Sequence, residues 1–127
     1  MLDWLRHEAA EWLAGITACT LASAGPAGVQ ASWVDCLAQG LRLYLLLPAQ
    51  SDHLLNIETT GEVALAASNW RLTGEGKSLG EESGPWTPVR QPWQVVVEVI
   101  PIRLYLDGGN GQSGKSIDFA SLHPQIQ

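Results

Sequence analysis

The sequence predicts a mainly β fold, a small β-barrel with accessory helices, in a single domain over 1–127. Three observations lead there. About six β-like runs are separated by short turns that contain Gly or Pro. Two stretches of helical period interrupt them in the order α-β-β-β-α-β-β-β, which does not fit alternating βαβ units. Hydrophobic residues make up 46% of 127, enough for one core. By size scaling the folded chain exposes roughly 6,600 Å² and the extended chain about 20,000 Å².

The first element is an amphipathic helix over 3–14, with Asp3 as N-cap, Leu5, Ala9, Trp12 and Leu13 at helical spacing, and Gly15 as the stop. From Ile16 the period changes to that of a strand. Ile16 to Ser23 ends at the turn Ala24-Gly25-Pro26-Ala27-Gly28, and Val29 to Cys36 ends at Ala38-Gln39-Gly40. Leu41, Leu43, Leu45 and Leu47 then share one face of a third run, with Arg42 and Tyr44 opposite. These three strands imply an antiparallel meander.

Pro48 closes the third strand, and Ser51 caps a short helix over 52–60. Asp52 suits its positive end, Leu54 and Ile57 face inward, and Gly61 ends it. Val63 to Ala67 and Trp70 to Leu79 read as strands of one hairpin, and Gly80 to Pro92 reads as an exposed loop. Trp93 to Leu106 carries the longest β signal, with an edge or a bulge expected at Pro101. The stretch 107–127 is Gly-rich and then polar, and reads as a flexible C-terminal tail.

The charge balance narrows the function. Seven Lys and Arg against thirteen Asp and Glu give a net charge of −6, the opposite of the basic patch that binds nucleic acid. No run approaches the roughly 20 apolar residues of a membrane span. Asp3, Arg6, His7, Glu8 and Glu11 break any apolar leader, so a cytoplasmic protein is expected. Cys19 and Cys36 match no disulfide framework or metal spacing and read as buried thiols, and His7, His53 and His123 are far apart, so no metal is expected.

Motifs for catalysis mostly fail on context. Gly109 to Ser116 spells GxxxxGK[ST], and Gly109, Gly111 and Gly114 also satisfy GxGxxG. A phosphate loop must open a helix and be followed by further strands, yet only 11 residues follow Ser116 and Pro124 interrupts them. A flexible surface loop is the better reading. No GxSxG elbow exists, because Lys115 stands where its last Gly belongs, and no catalytic residue is assigned. His53, near the positive end of a helix, reads as a neutral, half-exposed surface histidine.

The run Leu21-Ala22-Ser23, Gly28 to Val34, Leu43-Tyr44-Leu45, Ser51 to Ile57 and Gly61 to Leu65 resembles the pyridoxamine 5′-phosphate oxidase-like group of FMN-binding split barrels. Trp70 to Gly76, Val97 to Leu106 and Ser116 to Phe119 are similar to that group's later strands and tail. The resemblance covers roughly residues 12–120. It implies a six-stranded antiparallel split barrel that forms a homodimer, with FMN or another small-molecule ligand in clefts at the interface. A flavin-dependent oxidoreductase of unknown substrate is the function implied. The cofactor-binding positions are then Gln30, Ala31, Ser32, Trp33, Val34, Ser51, His53 and Leu54, with Trp33, Trp70 or Trp93 lining the ring slot. The group's basic phosphate-holding positions fall on Gln30, Asp52 and His53, and a threonine position falls on Leu47. The helix start at Ser51 and a His53 protonated by phosphate are the remaining supports for FMN. The alternative is a flavin-free split-barrel dimer that serves as a binding or structural module.

Overall fold

The computed structural model describes residues 2–79, 93–107 and 114–119. The elements are α1 (Leu2–Ala14), β1 (Ala18–Ser23), β2 (Gln30–Gln39), β3 (Arg42–Pro48), α2 (Asp52–Thr60), β4 (Glu62–Ala67), β5 (Trp70–Ser78), β6 (Gln94–Leu106) and β7 (Lys115–Asp118). The strands run in the order β3-β2-β1-β4-β5-β6-β7, and β3 also pairs with β6. That extra pairing closes six antiparallel strands into a barrel and leaves β7 on its outer margin.

Period-two alternation decides which side chains fill the barrel. Cys19 and Leu21 of β1, Val34 and Cys36 of β2, and Leu43, Leu45 and Leu47 of β3 point inward with Val63, Leu65, Leu72, Val97 and Val99. The expected meander is present, with a tighter second turn. β2 continues through Gln39, so the chain reverses over Gly40-Leu41, with Gly40 at φ 60. Such a two-residue hairpin needs a positive φ at its first position, which glycine supplies without strain.

Long β6 explains the split. Residues 94–99 pair with β3, while Arg103–Leu106 leave that partner and pair with β7, and β5 accompanies both halves. The change happens at a bulge, where Thr73 opposes Arg103 but Gly74 opposes Pro101. Pro101 has no N–H to give the ladder, so the irregularity expected from its presence is a bulge. Gly74 is required there, because a Cβ on it would lie 2.7 Å from the Ile100 carbonyl oxygen.

Helices cover the two barrel ends. At the Ala18 and Trp70 end, α1 buries Ala9 and Leu13, and Trp12 meets Trp70 edge-on at 5.5 Å. The helix begins at Leu2, one residue before its expected cap, so Asp3 lies within its first turn. At the Ser23 end, α2 starts and stops as expected. Ser51 Oγ accepts from His53 N–H at 3.2 Å, and Gly61, at φ 76, donates its N–H to the Ile57 carbonyl. Within the stretch 107–127 expected as a flexible tail, the described residues 115–118 form β7, which adds to the sheet, and Ile117 and the fully buried Phe119 anchor it to the core. The expected loop at Gly80–Pro92 lies outside the described residues.

Candidate functional site

Two elements build the candidate site from polar residues placed where apolar ones would serve the core. Ser23 ends the inward row Cys19-Leu21-Ser23 of β1. His53 and Asn56 lie on the inner face of α2 beside Leu54 and Ile57. All three are buried, His53 at 2% and Asn56 at 0% exposure. A buried polar group needs a partner. Asn56 Oδ1 accepts from the Ala27 N–H at 2.9 Å, and its Nδ2 donates to the Gly28 carbonyl at 2.9 Å and to Ser23 Oγ at 3.1 Å. Ser23 Oγ lies 2.7 Å from His53 Nδ1, and His53 Nε2 lies 3.1 Å from Ser32 Oγ. The close approach of Gly25 shapes this hub, since a Cβ there would sit 2.8 Å from Asn56 Oδ1.

The network opens at Ser32 into a cleft of about 630 Å³ between β2, β3 and the start of α2. Ser32, Trp33, Val34, Ser51 and His53 line it, so five of the eight sequence-predicted residues meet there. Its remaining wall is Asp35, Leu46, Leu47, Pro48 and Gln50. Gln30, Ala31 and Leu54 are not on this wall. Gln30 donates its side-chain amide to the Ala27 carbonyl at 2.8 Å, and Leu54 is buried in the core. Trp33 is the one candidate tryptophan on the cleft wall, 68% exposed, whereas Trp70 is buried against Trp12, and Trp93, itself exposed, accepts from the Ala49 N–H on its carbonyl beside the cleft-lining Pro48 and Gln50.

His53 is not the half-exposed surface residue expected from its place in the sequence. Burial holds its pKa below the ordinary imidazole value, with the Asp52 carboxylate offsetting part of that shift. Both ring nitrogens have hydroxyl partners, so the ring is a neutral structural link and a poor source of positive charge. The α2 N-terminus is also partly spent, because Ser51 takes the His53 N–H on its side chain and the Leu54 N–H on its carbonyl. Among the described residues no Lys or Arg lines the cleft, while Asp35 on its wall and Asp52 at the helix start are acidic. Arg42 pairs with Glu98, Arg71 lies over the Tyr105 ring, and Arg103 pairs with Asp118. These charges do not fit the dianionic phosphate of FMN, which needs charge-assisted donors. The cleft walls carry an indole, aliphatic side chains and hydroxyls.

Ser23 and Asn56 escaped the sequence reading. Their signal was there: a polar residue at an inward strand position, and one on the inner helix face three residues after His53. Other candidates resolve simply. Lys115 and Ser116 of the phosphate-loop look-alike lie in β7, not at a helix start, while Gly109 to Ser113 fall outside the described residues. Cys19 and Cys36 are free and buried. The Cys36 thiol donates to Cys19, which holds the Cys19 pKa down, and that bond together with burial pushes the Cys36 pKa well up. Among the described residues no three His, Cys, Asp or Glu group as a metal site, and no helix is long and apolar enough to cross a membrane.

No family model and no curated protein matches the chain. Solved structures do. General stress protein 26 from Bacillus anthracis is 13% identical over 90% of this chain and 98% of its own, with a TM-score of 0.65. A protein related to general stress protein 26, of the pyridoxinephosphate oxidase family, from Clostridium acetobutylicum is 10% identical over 97% of this chain and 99% of its own, at 0.66. HutZ, a heme storage protein from Vibrio cholerae, is 14% identical over 80% of this chain and 94% of its own, at 0.60. At such identities the likeness is one of fold. The fold is a split β-barrel, and in particular the split barrel of the pyridoxamine 5′-phosphate oxidase-like proteins.

Proposed function

We propose that this chain is a ligand-binding split barrel that acts as a cytoplasmic homodimer and holds a flat heteroaromatic molecule against Trp33. The exposed indole of Trp33 carries the reading. It lies on a cleft that combines the hydroxyls of Ser32 and Ser51 with the aliphatic Leu46 and Pro48. An aromatic ring left in water beside an apolar slot favours stacking, commonly by about 0.5–1.5 kcal/mol beyond area burial. FMN is the ligand that the sequence resemblance implies. The cleft suits its ring, but its charges disfavour the phosphate, so a phosphate-free ring or a related flat ligand is favoured over an FMN-dependent oxidoreductase. Heme is the other ligand that the neighbours' names raise. His53 is a poor axial ligand for it, since both ring nitrogens are engaged.

The outer sheet face supports the dimer. Thr20, Ala22, Ala31, Ala64 and Ala66 face neighbours across β1, β2 and β4, so a second sheet has room to approach closely. Val29 (83% exposed) and Ile102 (45%) flank a groove there of about 500 Å³. Trp33 stands opposite Thr20 at its border, so a second copy on this face would wall the cleft. Riboflavin titration followed by flavin fluorescence tests the ligand reading. Saturable quenching that Trp33→Ala weakens about tenfold supports it, and no quenching by the wild-type protein overturns it. Light scattering tests the dimer, which requires twice the 13.7 kDa chain mass for wild type and one chain mass for Val29→Asp.

A further inference from the structure

Asn56 sets a direction on the hydrogen bonds that lead to the cleft. Its amide cannot be flipped, because Ala27 offers it an N–H and Gly28 a carbonyl, and a flipped amide would oppose donor to donor and acceptor to acceptor. With one Nδ2 hydrogen on Gly28, the other meets Ser23 Oγ, so Ser23 accepts from Asn56. The Ser23 hydrogen then has His53 Nδ1, at 2.7 Å, as its acceptor. If Nδ1 were the protonated nitrogen, Ser23 would receive two donors and its own buried hydroxyl hydrogen would lose its partner. That loses the full hydration of a buried donor, the costlier arrangement. A neutral imidazole that accepts at Nδ1 carries its hydrogen on Nε2, so His53 donates to Ser32 Oγ. Ser32 keeps its own hydrogen for the cleft.

We propose that Asn56, Ser23 and His53 form a one-way hydrogen-bond chain that makes Ser32 a donor, so that Ser32 selects ligands presenting a carbonyl oxygen or an unprotonated ring nitrogen beside Trp33. The links point one way, and each polarises the next. With the opposite polarity Ser32 would spend its hydrogen on His53 and have only lone pairs to offer. In a cleft closed by ligand, the free hydroxyl hydrogen is satisfied by an acceptor and left bare by an apolar edge. Asn56, Ser23 and His53 act here as positioning residues, and Ser32 as the specificity-determining one. The ligand-class part of this inference rests on the cleft being the binding site proposed above.

Long-range proton–nitrogen NMR of protein carrying labelled histidine tests the chain without any ligand. His53, assigned by comparison with His53→Gln, is expected as the Nε2–H tautomer at neutral pH. Ser23→Ala removes the donor to Nδ1 and is expected to give a mixture of tautomers in a folded protein. A wild-type Nδ1–H tautomer, or a tautomer unmoved by Ser23→Ala, overturns the inference. Riboflavin is the ligand probe, and its ring carries carbonyl oxygens. Ser32→Ala is expected to weaken it about fivefold to tenfold, the worth of one neutral hydrogen bond, and Ser32→Thr to restore it within about twofold. Equal affinity for wild type and Ser32→Ala overturns the selection by Ser32. If riboflavin fails to bind the wild type, the cleft reading falls and the ligand selection with it, while the NMR result separately decides the polarity of the chain.

Discussion

Replacing Asn56 by alanine weakens the tie between α2 and the turn after β1, leaving the Thr60 hydroxyl on the Ala24 carbonyl. Three hydrogen bonds disappear, to Ala27 N–H, to the Gly28 carbonyl and to Ser23 Oγ. Each such bond contributes about 0.5–1.5 kcal/mol net, and a buried group left without a partner costs about 1–3 kcal/mol. Ala27 and Gly28 lie where water can take over, whereas Ser23 is 5% exposed and loses a buried donor. The expected loss is therefore about 3 kcal/mol. For a chain of 127 residues that lowers Tm by roughly 10 °C. Urea unfolding followed by far-ultraviolet circular dichroism measures it. Asn56→Asp keeps the volume and the acceptor for Ala27 N–H but removes both donors, so it is expected to be no more stable than the alanine variant. A loss below about 1 kcal/mol for Asn56→Ala would refute the view that this amide organises the site.

Three further outcomes are expected. Because His53 titrates below the ordinary value when folded, the unfolded chain takes up a proton first as pH falls. Stability is then full above about pH 6.5 and declines below it, at a limiting slope of about 1.4 kcal/mol per pH unit; His53→Gln flattens that part of the profile, and a wild-type profile no steeper than the variant's contradicts it. Gly74→Ala places a Cβ 2.7 Å from the Ile100 carbonyl oxygen and 3.0 Å from Val99 Cγ1, an overpacking expected to cost about 3 kcal/mol in a thermal melt; an unchanged Tm removes the bulge from the argument. Cys19 and Cys36, buried side by side in the barrel, are expected to resist an aromatic disulfide reagent in the native protein and to react fully in denaturant; rapid native labelling would place them at the surface.

The architecture was legible where a local rule was strong. Alternating leucines fixed the inward face of β3, Ser51 and Gly61 bounded α2 to the residue, and Pro101 marked the bulge in β6. What escaped depends on long-range partners. β7 has four residues and no periodicity of its own, so only the family resemblance over Ser116 to Phe119 pointed to it, and it forms because β6 offers it an edge and the core takes in Ile117 and Phe119. His53 reads as a surface residue by itself. It becomes a buried link because Ser23, 30 positions earlier, ends β1 beneath α2. The missing basic residues at the phosphate positions were visible from sequence. That His53 cannot replace them needed its burial and its two hydroxyl partners.

The most direct test of the account is a paired titration of riboflavin and FMN against the purified protein at low and at moderate salt. The two share a ring system and differ in the phosphate, so the ratio of their affinities isolates what the cleft does with a dianion. Riboflavin is expected to bind at least as tightly as FMN, and salt to narrow any disadvantage of FMN by screening Asp35 and Asp52. FMN binding ten times tighter than riboflavin, with an advantage that salt erodes, would reveal a cationic phosphate clamp and contradict that expectation.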